Sequence, residues 1–142
     1  MGYTHYWTQT RDHAPTEWAD INGAVAKVVV KAMGVGVDAF ARYKDDHILV
    51  DGSEQSCETL EINRLVRTGG IKPGWDFCKT RGLPYDVVVT AVLAYLAAYH
   101  GYDVSSDGDV LDWSEGVTLA STALDIPIPN PMFVKELTHE RL

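Results

Sequence analysis

From Val87 to Tyr99 the chain is apolar at every position except Thr90. No other feature constrains the fold as strongly. The run falls well short of the roughly 20 residues that span a bilayer. Gly82-Leu83-Pro84 breaks the chain before it, Pro84 suits a first helical turn, and Gly101 stops it. The spacing of Tyr85, Val88, Val92, Tyr95, Leu96 and Tyr99 predicts a helix over 84–100. A helix this apolar has no side that water can face, so it must be covered all round by a sheet and by a third helix or another subunit. At 142 residues the chain supports one core of that kind.

The rest of the chain supplies candidate layers. Tyr3 to Thr10 is rich in aromatic and β-branched residues and reads as a strand, with Tyr3, His5 and Trp7 on one face and Thr4, Tyr6 and Thr8 on the other. Thr16 is the expected cap of a first helix carrying Trp18, Ile21, Val25, Val28, Val29 and Ala32, ending near Gly34. Like the 84–100 helix, it is expected to be nearly apolar around its circumference. Strands are predicted at His47 to Val50, Cys57 to Ile62, Trp75 to Lys79 and Asp103 to Ser106, the first two as an antiparallel hairpin turning at Asp51-Gly52-Ser53. Thr68 to Gly74 is a flexible connection. Asp109 caps a third helix through Trp113, Val117, Ala120 and Leu124. The predicted fold is α+β, a single domain over 1–125 in which a mainly antiparallel sheet packs against two or three helices. Residues 126–142 form a proline-rich extension. Its apolar Ile126, Ile128, Met132, Phe133, Val134 and Leu137 must dock on the same chain or on a second copy, and a homo-oligomer is expected.

Twelve Lys and Arg against twenty Asp and Glu give a net charge of −8, which argues against non-specific nucleic-acid binding. The start carries no export signal and no segment is long enough for a membrane, so a cytoplasmic protein is expected. In that reducing setting Cys57 and Cys78 read as free thiols. Charge is nonetheless unevenly placed. Residues 64–81 carry Arg64, Arg67, Lys72, Lys79 and Arg81 against the single acid Asp76, a net of +4, whereas residues 103–125 carry six acids and no base. Lys79, Thr80 and Arg81 run into the start of the 84–100 helix, whose free amides add partial positive charge. Together they form a candidate anion site, with Tyr3, His5, Trp7 and Trp75 as a surface for stacking a base. The competing reading is that the two cations neutralise the acidic segment while the aromatics fill the core.

Other chemistries find less support. Asp103, Ser105, Asp107, Gly108 and Asp109 follow the order of a calcium loop, but Ser114 stands where the bidentate glutamate belongs and Glu115 comes one residue late, so the acids read as a helix cap. His5, His100, Asp107 and Asp109 lack metal-ligand spacing, and neither a metal nor another cofactor is expected. Cys78 reads as a buried strand thiol rather than a nucleophile.

Met1-Gly2-Tyr3-Thr4-His5-Tyr6-Trp7, then Phe77-Cys78-Lys79-Thr80-Arg81 leading into Pro84-Tyr85-Asp86, then Ser105-Ser106-Asp107-Gly108-Asp109 with Trp113, resemble a group of small uncharacterised proteins encoded by tailed bacteriophages. The likeness runs from residue 1 to about residue 120, includes the Glu58-Thr59 pair, and stops before the proline-rich end. It implies a phage protein acting in the host cytoplasm and implies no activity. Joined to the candidate anion site, the expectation is a non-enzymatic protein that binds a small anionic molecule, a nucleotide immune signal, and so counters a host defence. The alternative is an acidic protein-protein inhibitor or assembly module, and the third reading is a nucleotide hydrolase.

Overall fold

The computed structural model describes residues 3–133, in the order β1 (Thr4–Thr8), α1 (Pro15–Gly34), β2 (Phe40–Tyr43), β3 (His47–Asp51), β4 (Leu60–Asn63), β5 (Trp75–Lys79), α2 (Asp86–Tyr99), β6 (Asp103–Ser106) and α3 (Val110–Leu124). The α+β class is as predicted. The strands divide between two antiparallel sheets of three, ordered β5-β1-β6 and β2-β3-β4. Within them β2 is an edge strand that the sequence reading lacked, paired Tyr43 to Ile48 and Phe40 to Asp51. Its side chains are half-buried or exposed, so it carries no alternating apolar signal.

α2 occupies the centre. Val88 through Leu96 is buried without interruption, and α2 packs chiefly on α3 and then on α1 and β6. The close approach of α3 is made at Gly116, where a Cβ would run into Thr90 Oγ1 and the Ala91 amide nitrogen. The third helix of this chain, rather than another subunit, thus supplies the main cover for α2. Among the described residues no helix is long and apolar enough to cross a membrane.

Two helix starts differ from expectation. α1 begins at Pro15 with Ala14 as its extended N-cap and no side-chain cap bond, so Thr16 lies inside the helix. Proline at the first position fixes its own φ and holds the preceding residue extended, which sets the start without a capping hydroxyl. α2 begins at Asp86, after a turn at Pro84-Tyr85. α3 is capped as predicted: Asp109 accepts from the Asp112 amide at 3.1 Å and Asp112 accepts from the Asp109 amide at 2.9 Å. α1 also departs from the all-round apolar reading, since Trp18, Ile21, Val25, Val28 and Ala32 form one buried stripe while Asp20, Lys27 and Lys31 are exposed.

The two sheets are joined at Glu58. Glu58, which lies just before β4 rather than within it, donates its amide to Lys79 O at 2.9 Å and takes the Lys79 amide on Oε1 at 2.7 Å. Thr59 fastens the same stretch to Asp51 at 2.8 Å. Beyond this staple β4 and β5 are not paired, and the loop 64–74 closes the far end. Past α3, Ile128 and Met132 are buried, Asn130 donates to Val110 O at 3.0 Å, and Tyr99 donates to Pro127 O at 2.7 Å. This part of the extension docks on its own chain, so Ile128 and Met132 require no second copy. Val134 and Leu137 lie outside the described residues.

Candidate functional site

Strand alternation divides the residues singled out in the sequence. His5 and Cys78 are cross-strand partners on the inner, buried face, Trp7 pairs with Asp76, and Tyr6 pairs with Phe77. The exposed aromatic row is instead Tyr6, Trp75 and Phe77, with ring centroids 6.2 Å apart between Tyr6 and Trp75 and 5.6 Å between Trp75 and Phe77. Tyr3, His5, Trp7 and Trp75 therefore do not make one platform.

At the start of β1, His5 Nε2 lies 2.6 Å from Asp86 Oδ1, Thr80 donates its hydroxyl to the same oxygen at 2.5 Å, and His5 Nδ1 lies 2.7 Å from Ser106 Oγ. Tyr3 and Trp113 close the ring edge-on at 5.0 and 5.1 Å. His5 and Thr80 are fully buried. Asp86 is thus the anion that the Thr80 hydroxyl receives, and as an acid in the first turn of α2 it also answers the helix dipole. The adjoining cavity, of about 500 Å³, is lined by Asp86, Asp112 and Glu115 and by no base, a surface that repels anions. Lys79 and Arg81 stay on the surface, Arg81 with a left-handed φ of 58°. Sequence spacing had brought these cations to an anion site; the protein's own carboxylates take that place.

Ser106, His5 and Asp86 hold a nucleophile, a base and an acid in a row, but the arrangement does not make an active site. Ser106 Oγ accepts the Gly108 amide at 2.9 Å, His5 has no exposed surface, and neither residue lines the adjoining cavity. A second polar cluster is equally closed. Glu17 takes His13 Nδ1 at 2.9 Å, His100 Nδ1 at 2.7 Å and Arg11 at 2.5 Å, while Tyr102 and Tyr95 sit on the far ring nitrogens at 2.8 and 2.7 Å. Burial alone would raise the Glu17 pKa; the hydrogen bonds from His100 and His13 and the Arg11 charge outweigh it and hold the group down to about 2. Cys78 is buried, and burial pushes its thiol well above the ordinary range, which removes it as a nucleophile at neutral pH. Among the described residues no group of three or more His, Cys, Asp or Glu is placed to hold a metal.

The far end of β1 is different. Where the sheets part, a cavity of about 280 Å³ is lined by Trp7, Gln9, Asn63, Arg67, Trp75, Asp76 and Phe77, with Gly69, Gly70, Ile71 and Gly74 from the connecting loop. Gly74 lets that loop lie against β1: its φ is +75°, its carbonyl takes the Gln9 amide at 2.9 Å, and a Cβ there would strike the Gln9 carbonyl. Asp76 takes the Phe77 amide at 2.7 Å, and burial raises its pKa. Arg67 NH1 pairs with Glu61 at 2.7 Å on the rim. From Arg64 to Lys72 the loop carries three bases and no acid. Of the residues expected to bind ligand, Trp7 and Trp75 belong to this cavity, and Tyr3, His5, Lys79, Thr80 and Arg81 do not line it. Gln9, Asn63, Arg67, Asp76 and Phe77 were missed, although the acid-free, glycine-rich stretch was a readable signal. No family model, curated protein or solved structure matches the chain.

Proposed function

We propose that the protein binds a small anionic molecule bearing a flat ring, a nucleotide, in the cavity between the parted sheet edges, and holds it without turnover. The observation that carries this reading is the composition of that cavity. Aromatic side chains stand beside amide, carboxyl and guanidinium groups, a mixture that suits a planar heterocycle with polar edges. The phosphate has a partner in Arg67, the cation among the lining residues, on a loop that carries three bases and no acid from Arg64 to Lys72. The lining includes no Ser, Cys, His or Lys, and its one carboxylate, Asp76, serves in this reading to hold the ligand. With the phage-like sequence pattern, the role that fits is capture of a nucleotide signal inside an infected cell.

Calorimetry with nucleoside monophosphates tests this. Wild-type protein and the Lys79→Ala, Arg81→Ala double variant are expected to bind alike, while Trp75→Ala and Arg67→Ala lose at least tenfold in affinity. Binding that is lost in the double variant and kept in Trp75→Ala would return the site to the start of α2.

A further inference from the structure

We propose that the ring taken by this cavity is a guanine-type base, recognised by the Asp76 carboxylate. The proposal rests on the reading of the cavity as a nucleotide site and deepens it.

Asp76 stands opposite Trp7 in the strand register and lines the cavity beside Trp75 and Phe77. One carboxylate oxygen is held by the Phe77 amide. Among the described residues no donor reaches the other. A half-exposed carboxylate with spare acceptor capacity in a cavity wall is a ready partner for two neighbouring N–H donors on a ligand. The ring N1–H and the 2-amino group of guanine lie side by side on one edge. Adenine offers an acceptor, N1, at the corresponding place, and an ionised carboxylate repels it. Uracil flanks its single N–H with two carbonyls, and cytosine joins one amino group to a ring acceptor. Guanine alone of the four presents adjacent donors. Asn63, across the same cavity, makes no side-chain hydrogen bond among the described residues and has an amide N–H to offer the guanine 6-oxo group.

The charges around Asp76 set how strongly this depends on pH. Burial and the neighbouring Glu61 and Glu58 raise its pKa, while Arg67 and the Phe77 amide lower it, and the net shift is upward. Guanine binding needs the ionised form, so affinity falls as acid protonates Asp76.

Calorimetry with guanosine, inosine and adenosine 5′-monophosphates decides the matter. Inosine keeps the ring N–H and lacks the amino group. We expect guanosine monophosphate to bind about tenfold tighter than inosine and about a hundredfold tighter than adenosine monophosphate, as a site built to pair a donor rejects the analogue without it. Asp76→Asn should reverse the order of guanine and adenine, because a side-chain amide can accept from the adenine amino group and donate to N1. Equal affinity for all three nucleotides, with each lost in Trp75→Ala, would overturn the base assignment and leave the nucleotide cavity standing. Absence of binding by any of them would overturn both. If Asp76→Asn does not fold, the order among the three nucleotides on the wild-type protein decides alone.

Discussion

The two ends of β1 hold similar residue types and use them in opposite ways. At its start, His5, Thr80, Asp86 and Ser106 spend their hydrogen bonds on one another beneath Tyr3 and Trp113. At its far end, Trp7, Asn63, Arg67, Trp75 and Asp76 surround a cavity, and part of their bonding capacity is unspent. A histidine, a threonine and an aspartate in contact look like chemistry in a list of residues. Their partners show them to be structure. Unspent capacity beside an open volume, more than residue type, marks a place for a ligand.

The sharpest way to break this contrast is to remove Asp86. Asp86→Ala leaves His5 and Thr80 buried without their shared acceptor, and the expected loss is about 3 kcal/mol of folding stability, read from the urea midpoint, with nucleotide affinity unchanged in the folded fraction. Unchanged stability with lost affinity would exchange the roles of the two ends. Trp75→Ala is the reverse experiment. It should cost about 1.4–3 kcal/mol of ligand binding and under about 1 kcal/mol of stability, since the ring is half-exposed and stacks on Tyr6 at the surface.

A gentler probe is acid. Glu17 has a lower pKa in the folded chain, about 2, than its ordinary 4.5, so its contribution is whole above about pH 4.5 and is lost as pH falls toward 2. Urea unfolding across that range should show stability declining with acid, and Glu17→Gln should flatten the slope. An unaltered slope would place the acid sensitivity elsewhere. The smallest effect is expected at Arg81. Its left-handed backbone is strained for a side chain, so Arg81→Gly should gain about half a kcal/mol and leave nucleotide affinity as it was.

What could be read from the chain follows physical range. The apolar run gave α2, the Asp109 turn gave the α3 cap, and aromatic and β-branched content located β1, since each is written within a few neighbouring residues. The division into two sheets was not legible, because β1 finds its partners far along the chain, Thr4 opposite Lys79 and Tyr6 opposite Ser105, and such pairings leave no local mark. The neighbourhood of Lys79, Thr80 and Arg81 was legible at closer range: Asp86 stands only six residues beyond Thr80 and, as a carboxylate in the first helical turn, takes the Thr80 hydroxyl itself. Trp7 and Trp75, singled out in the sequence as stacking surfaces, both line the cavity at the far end of β1. Asp76 enters the sequence reading only as an opposing charge, because its place in the cavity wall is set by the pairing of β5 with β1.

The central place of β1 in the order β5-β1-β6 also has a consequence for synthesis. His5 pairs with Cys78 and with Ser106. At the roughly 5–20 residues per second of translation, this strand leaves the ribosome several seconds before either neighbour exists to pair with it. Until then its aromatic faces lack their sheet partners. Force recorded on nascent chains arrested at successive lengths should stay low until β5 has emerged and rise again with β6; an early rise would mean that β1 finds temporary cover on α1.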